Sequence, residues 1–158
     1  IVLASLLFMR RMAEVTGVRL AGDGVRGAEF QGGPLPRGML VYSIGGPLFF
    51  GAAQKAIEAI EQVDRRGVKV AVLDLRAVPA VDATGLVALE SLLERLNHDG
   101  VKVVLAGVQA QPLRVFARAG WRNRRGRLRI FRDFDAGVRR ARAHAARPKE
   151  GESPAVTA

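Results

Sequence analysis

Residues 68–100 read VKVAVLDLRAVPAVDATGLVALESLLERLNHDG, and this stretch decides the fold. Val68–Leu75 is a nearly continuous apolar run rich in valine and leucine, the pattern of a strand buried on both faces or in mid-sheet. A loop carrying Pro79 leads to Asp82. From Thr84 to Asn97, Leu86, Leu89, Leu93 and Leu96 recur on one helical face, and Gly100 closes the helix. The unit is strand, loop, helix.

The same alternation extends both ways. Downstream, Val101–Ala106 (VKVVLA) is a second buried strand, residues 109–119 a helix stopped by Gly120, Arg127–Phe131 a short strand, and Asp133–Ala146 a helix capped by Asp133 or Asp135. Upstream, Met39–Ile44 (MLVYSI) is a strand that ends at the turn Gly45-Gly46-Pro47. Leu48–Phe50 is a short apolar run. Residues 51–66 place Ala53, Ala56, Ile57, Ile60 and Val63 on one helix face, and Gly67 stops it. Strand and helix alternate four times, which predicts an α/β domain with a mostly parallel sheet and short connections. Sites in such sheets form at the carboxyl ends of strands, so the loops at 76–84 and 107–112 are the candidates.

Composition narrows the chemistry. The chain has 158 residues, 49% apolar and 25% charged, which suits one packed domain rather than disorder. It has no cysteine, so disulfides, thiolate nucleophiles and Cys-ligated zinc are excluded. His98 and His144 stand far apart, and no metal site is expected. The net charge is +10, unevenly spread: residues 1–113 carry 12 basic and 11 acidic groups, residues 114–158 carry 13 and 4. A near-neutral domain therefore carries a basic flank that calls for an anionic partner.

Four segments are expected. Residues 1–12 start with the uncharged IVLASLLFM and reach Arg10-Arg11; nine helical residues span only about 14 Å of a bilayer core of about 30 Å. Because the first residue is Ile, they read as the end of a truncated membrane helix, with Arg-Arg on the cytoplasmic side. Residues 13–38, dense in glycine and proline, read as a linker that can also pair weakly as an edge strand. Residues 39–147 form the domain, and residues 148–158 a disordered tail.

Several residues invite a chemical role. Asp74 and Asp82 are two carboxylates near one strand end, but no nucleophile or third ligand lies near, so Asp74 reads as a strand terminator that binds loop amides. Asp82 or Thr84 reads as the helix cap. Gly45-Gly46-Pro47 lacks the spacing of a phosphate-binding loop and reads as a turn. Arg122, Arg124, Arg125, Arg127, Arg129 and Arg132, beside Trp121, Phe131 and Phe134, make a dense basic run. It reads as a solvated loop or as a contact for anionic headgroups, ahead of nucleic acid.

The segment LDLRAVPAVDATGLVAL resembles the STAS domain, shared by sulfate transporters and anti-sigma factor antagonists. GGPLFFGAAQ (45–54), GVKVVLAGVQAQPLRVFARAGW (100–121) and LFMRRMAEVTGV (7–18) are similar to segments of the STAS domains attached to SulP-type anion transporters, in the same order. The resemblance implies a STAS-like mixed sheet of about four or five strands with helices mainly on one side. It implies a non-enzymatic, cytoplasmic regulatory and assembly domain at the carboxyl end of a membrane anion transporter of the sulfate type. The implied partners are the transmembrane domain of the same transporter, the membrane surface, a second copy and a regulatory protein; no nucleic acid is expected. A soluble partner-switching protein like the anti-sigma factor antagonists is the alternative. Those antagonists are switched by phosphorylation of a serine directly after the loop aspartate. Here that position is Ala83, and Thr84 keeps the nearest hydroxyl.

The expected regulatory loop is thus Asp82, Thr84 and Gly85, with Thr84 as phosphosite. Gly46, Pro47, Leu48, Phe49, Asp74, Asp82 and Thr84 are expected to meet a partner or a nucleotide. Arg122, Arg124, Arg125 and Arg127 are expected to meet lipid or anions. No cofactor is required, and a guanine or adenine nucleotide is the one class admitted, at the helix N-terminus beside residues 76–84.

Overall fold

Apolar residues alternate between two faces along the central strands, and both faces are covered. A computed structural model describes residues 17–21, 35–123 and 127–147. The elements are β1 (Gly17–Ala21), β2 (Met39–Gly45), α1 (Phe50–Glu61), β3 (Val70–Ala77), α2 (Ala83–His98), β4 (Lys102–Ala106), α3 (Ala110–Arg118), β5 (Leu128–Ile130) and α4 (Phe134–Ala145). The described strands form one sheet in the order β1-β2-β3-β4-β5. β2 to β5 run parallel, and β1 pairs antiparallel with β2, Gly17 opposite Gly45. The glycine-rich segment thus does contribute an edge strand.

Side-chain parity sorts the sheet. On one face Tyr42, Ile44, Ala71, Leu73, Leu75, Val103 and Leu105 join Ile57 and Ile60 of α1, Leu89, Leu92 and Leu96 of α2, and Phe116 of α3. On the other, Met39, Val41, Val70, Val72, Val104 and Ala106 meet Phe134, Val138, Ala141 and Ala145 of α4. Three helices against one fits the expected one-sided packing. Each fully buried large side chain contributes roughly 1.5–3 kcal/mol of transfer free energy, so the larger layer dominates stability.

Element boundaries shift for local reasons. The helix expected over 51–66 ends at Glu61. Beyond it the Asp64 carboxylate accepts the Arg66 backbone N–H at 3.0 Å and its guanidinium Nε at 2.9 Å, a local arrangement that competes with helix continuation. The strand expected over 68–75 lies at 70–77. The short run at 48–50 is no strand: Leu48 makes a single parallel bridge to Val81. Among the described residues, no helix is long and apolar enough to cross a membrane. The expected membrane-helix end (1–12), most of the linker and the tail (148–158) lie outside the described residues.

Candidate functional site

The carboxyl ends of β2, β3 and β4 meet at one edge of the sheet, where most of the expected site residues gather. Parity along β2 and β3 puts Ser43 and Asp74, which are register partners, on the α4 face. Asp74 is only 5% exposed, the one buried charged residue among those described. A buried carboxylate must be paired and hydrogen-bonded, and this one is. It accepts the Ser43 hydroxyl at 3.3 Å, the Arg76 backbone N–H at 3.0 Å, and the Arg76 guanidinium through Nε at 3.0 Å and Nη2 at 2.8 Å. Arg76 lies two residues on, hence on the same face, and its guanidinium sits 3.7 Å over the ring of Phe134. The Asp74 hydrogen bonds hold Arg76 above its ordinary pKa. Asp74 therefore sits inside β3 rather than at its end, and one guanidinium supplies much of what the loop amides were expected to give.

The loops beyond the strands are locked to one another by backbone bonds. Gly46 N–H donates to Ala77 O at 2.9 Å, Leu48 N–H to Ala80 O at 2.9 Å, and Asp82 N–H to Leu48 O at 3.3 Å. The Gln111 side chain accepts Val81 N–H at 2.9 Å and donates to Val81 O at 3.1 Å. Gln109 donates to Arg76 O at 2.6 Å. At Gly107 the backbone is left-handed (φ 72°) and an added Cβ would lie 2.3 Å from Arg76 Cγ, so glycine is needed on two grounds.

Asp82 is the N-cap of α2: its carboxylate accepts Gly85 N–H at 2.7 Å. A Cβ at Gly85 would stand 2.1 Å from the Leu48 carbonyl oxygen. Gly85 thus lets the first turn of α2 rest on the 46–49 loop. Ala83 and Thr84 are exposed at the helix start. Gly46, Pro47 and Phe49 are half-buried, whereas Leu48 is 1% exposed and belongs to the core. Leu48 and Asp74 therefore reach a partner only through their neighbours. The surface left at this edge is Ala83 and Thr84, flanked by Arg76, Ala77 and Pro79.

The arginine run divides differently. Arg122 and Arg127 line a cavity of about 360 Å³ with Glu90, Glu94, His98 and Trp121, so acids share that space. Trp121 stacks on Phe116 at 4.7 Å and anchors the end of α3. Arg124 and Arg125 lie outside the described residues. Among those described, no group of three His, Asp or Glu residues is arranged to hold a metal.

Sequence reasoning missed Arg76, Gln109 and Gln111. Arg76 had a readable signal, since Asp74 and Arg76 are two apart on a strand. The glutamines had none, because their partners lie 30 to 33 residues away.

Comparison with known proteins adds four findings. A family model described as STAS domain matches residues 34–135. A candidate sulfate transporter of Bacillus subtilis, YvdB, is 24% identical over 135 residues, 85% of this chain and 25% of that protein, so the chain spans about a quarter of that relative. A sulfate transporter family protein from Wolinella succinogenes is 30% identical with a TM-score of 0.61, over 70% of this chain and 90% of the other. The STAS domain of a SulP transporter from Vibrio cholerae is 25% identical with a TM-score of 0.56, over 68% and 84%.

Proposed function

We propose, since the chain belongs to the STAS domain family, that it is the regulatory and assembly module of a SulP-type anion transporter, held on the cytoplasmic side and acting by contact rather than by catalysis. One observation carries the reading. At the carboxyl edge of the sheet the loops are hydrogen-bonded to one another and, among the described residues, the one buried carboxylate is paired with Arg76, leaving the exposed start of α2 as a surface to be read. Pairing of this kind supports a structural role for Asp74. The similarity to transporter STAS domains supports the placement.

Partners fit this edge by shape and by the α2 terminus. Gly46, Pro47, Phe49, Asp82 and Thr84 would meet the transmembrane domain of the same transporter, a second copy or a regulatory protein. A nucleotide phosphate at α2 would compete with the Asp82 carboxylate, which already takes Gly85 N–H. No cofactor is needed. Thr84 is the regulatory position: a phosphate there would add roughly −1.5 to −2 charge at a helix N-terminus, favoured by the dipole and opposed by neighbouring Asp82. Ala83 lacks the hydroxyl through which an anti-sigma factor antagonist would switch, so partner switching by that chemistry is set aside.

The test is the natural product. An antibody raised to the domain should detect a band far larger than 17.0 kDa that sediments with membranes and resists carbonate. A soluble band of the chain's own mass would overturn the transporter reading.

A further inference from the structure

The opposite edge of the sheet has another character. There the starts of β3, β4 and β5 meet the last turns of α4 around a groove of about 590 Å³. Its ionisable lining is Lys102, Arg127, Arg129, Arg140, His144 and Arg147, with no carboxylate. Register explains the convergence. Lys102 pairs with Val70, Leu128 pairs with Val103, and Lys102 N–H donates to Lys69 O at 3.0 Å, so the first residues of three strands lie side by side. Lys69 Nζ donates to Arg147 O at 2.9 Å and pins the end of α4 to the start of β3. Cations as far apart in the chain as Lys102 and Arg147 are thereby gathered in one concavity.

None of the five lining cations takes part in an ion pair among the described residues, whereas Arg65, Arg66, Arg76 and Arg95 all do. The C-terminus of α4 contributes only about half a negative elementary charge against them. His144 reports the resulting field. Burial pushes its pKa down first, and Lys102, Arg147, Arg140 and Lys69 push it further, with no carboxylate opposing them. Crowding like charges is unfavourable unless an anion relieves it.

We propose that this groove is a binding site for a ligand carrying clustered phosphate oxyanions. Guanidinium groups from β5 and α4 supply forked donors, and Lys102 supplies a point charge, the pairing that suits multiply charged phosphate. Two sources offer that chemistry, a soluble oligophosphate and a phospholipid headgroup. The site is separate from the platform at the carboxyl edge and does not rest on the transporter reading.

Inorganic triphosphate is titrated into the full 158-residue chain by calorimetry at low and high salt, with the His144 ring followed by NMR. In parallel, phosphatidylglycerol and phosphatidylcholine vesicles are sedimented with the chain. The expected result is saturable, salt-weakened binding of triphosphate and a rise in the His144 pKa as the anion offsets Lys69, Lys102, Arg127, Arg129, Arg140 and Arg147. The Lys102→Glu/Arg140→Glu variant should bind about tenfold or more weakly. A control, Arg114→Glu/Arg118→Glu on exposed positions of α3, changes net charge equally and should bind within about twofold of the parent. Circular dichroism and a urea midpoint establish that both variants fold. Binding to phosphatidylglycerol vesicles alone, lost in the first variant only, supports the site and assigns the source to headgroups. No saturable binding of either probe, or equal weakening by both variants, overturns it.

Discussion

The two edges of one sheet treat charge in opposite ways. At the carboxyl edge, Asp74 is consumed by Ser43 and Arg76, Asp82 by the first turn of α2, and loop backbones bond to each other. At the amino edge, five cations crowd without a carboxylate. Charge at the first edge builds the fold; charge at the second is left for a ligand. Buried polar groups are held because leaving them unpaired is costly, whereas the cations of the groove repel one another and remain available to an anion.

Substitutions sharpen this contrast. The largest effect should come from Gly85→Val, whose Cβ meets a backbone carbonyl at 2.1 Å. Backbone cannot swing aside as a side chain does, so a loss of about 3 kcal/mol is expected in urea denaturation. A loss under about 1 kcal/mol would mean that the α2 start is not seated on the 46–49 loop. Asp74→Asn comes next, at about 2 kcal/mol, because Arg76 keeps only part of its partner and Ser43 loses a charged acceptor. Asp82→Ala should cost about 1 kcal/mol through the lost cap, and Thr84→Ala less than about 0.5 kcal/mol, since Thr84 is exposed. Equal losses for the two would show Thr84 sharing the cap.

At the amino edge the sign should reverse. Arg140→Gln removes one of several like charges and should stabilise the chain by up to about 0.5 kcal/mol at low salt, an effect that fades at high salt. Destabilisation at both salts would place Arg140 in the fold rather than in the groove. The pH dependence points the same way. The folded pKa of His144 lies below 6.5, so the unfolded chain takes up the proton first as pH falls. Its contribution is therefore nil well above 6.5 and turns unfavourable below it, and His144→Gln should flatten that part of the stability profile.

Strand and helix identity was legible because each element carries its own period. Val70, Val72 and Leu73 announce a strand, and Leu89, Leu93 and Leu96 a helix, with no help from distant residues. The Asp82 cap was legible for the same reason, since cap and amide are three residues apart. Ends were less so: the α1 stop depended on Asp64 capturing Arg66, a contest between local hydrogen bonds that periodicity does not register. Leu48 read as a contact for a partner or nucleotide, yet the loop pairing buries it.

By itself, then, the sequence determined the alternation of elements, the mostly parallel sheet and the basic flank, all properties of neighbours along the chain. Only the tertiary structure decided which face α4 covers, that Asp74 belongs to Arg76 and Ser43 together, and that Lys102, Arg127, Arg140 and Arg147 share one groove. The physical reason is range. Period, capping and turn chemistry act within about one helical turn, whereas strand register joins residues dozens of positions apart.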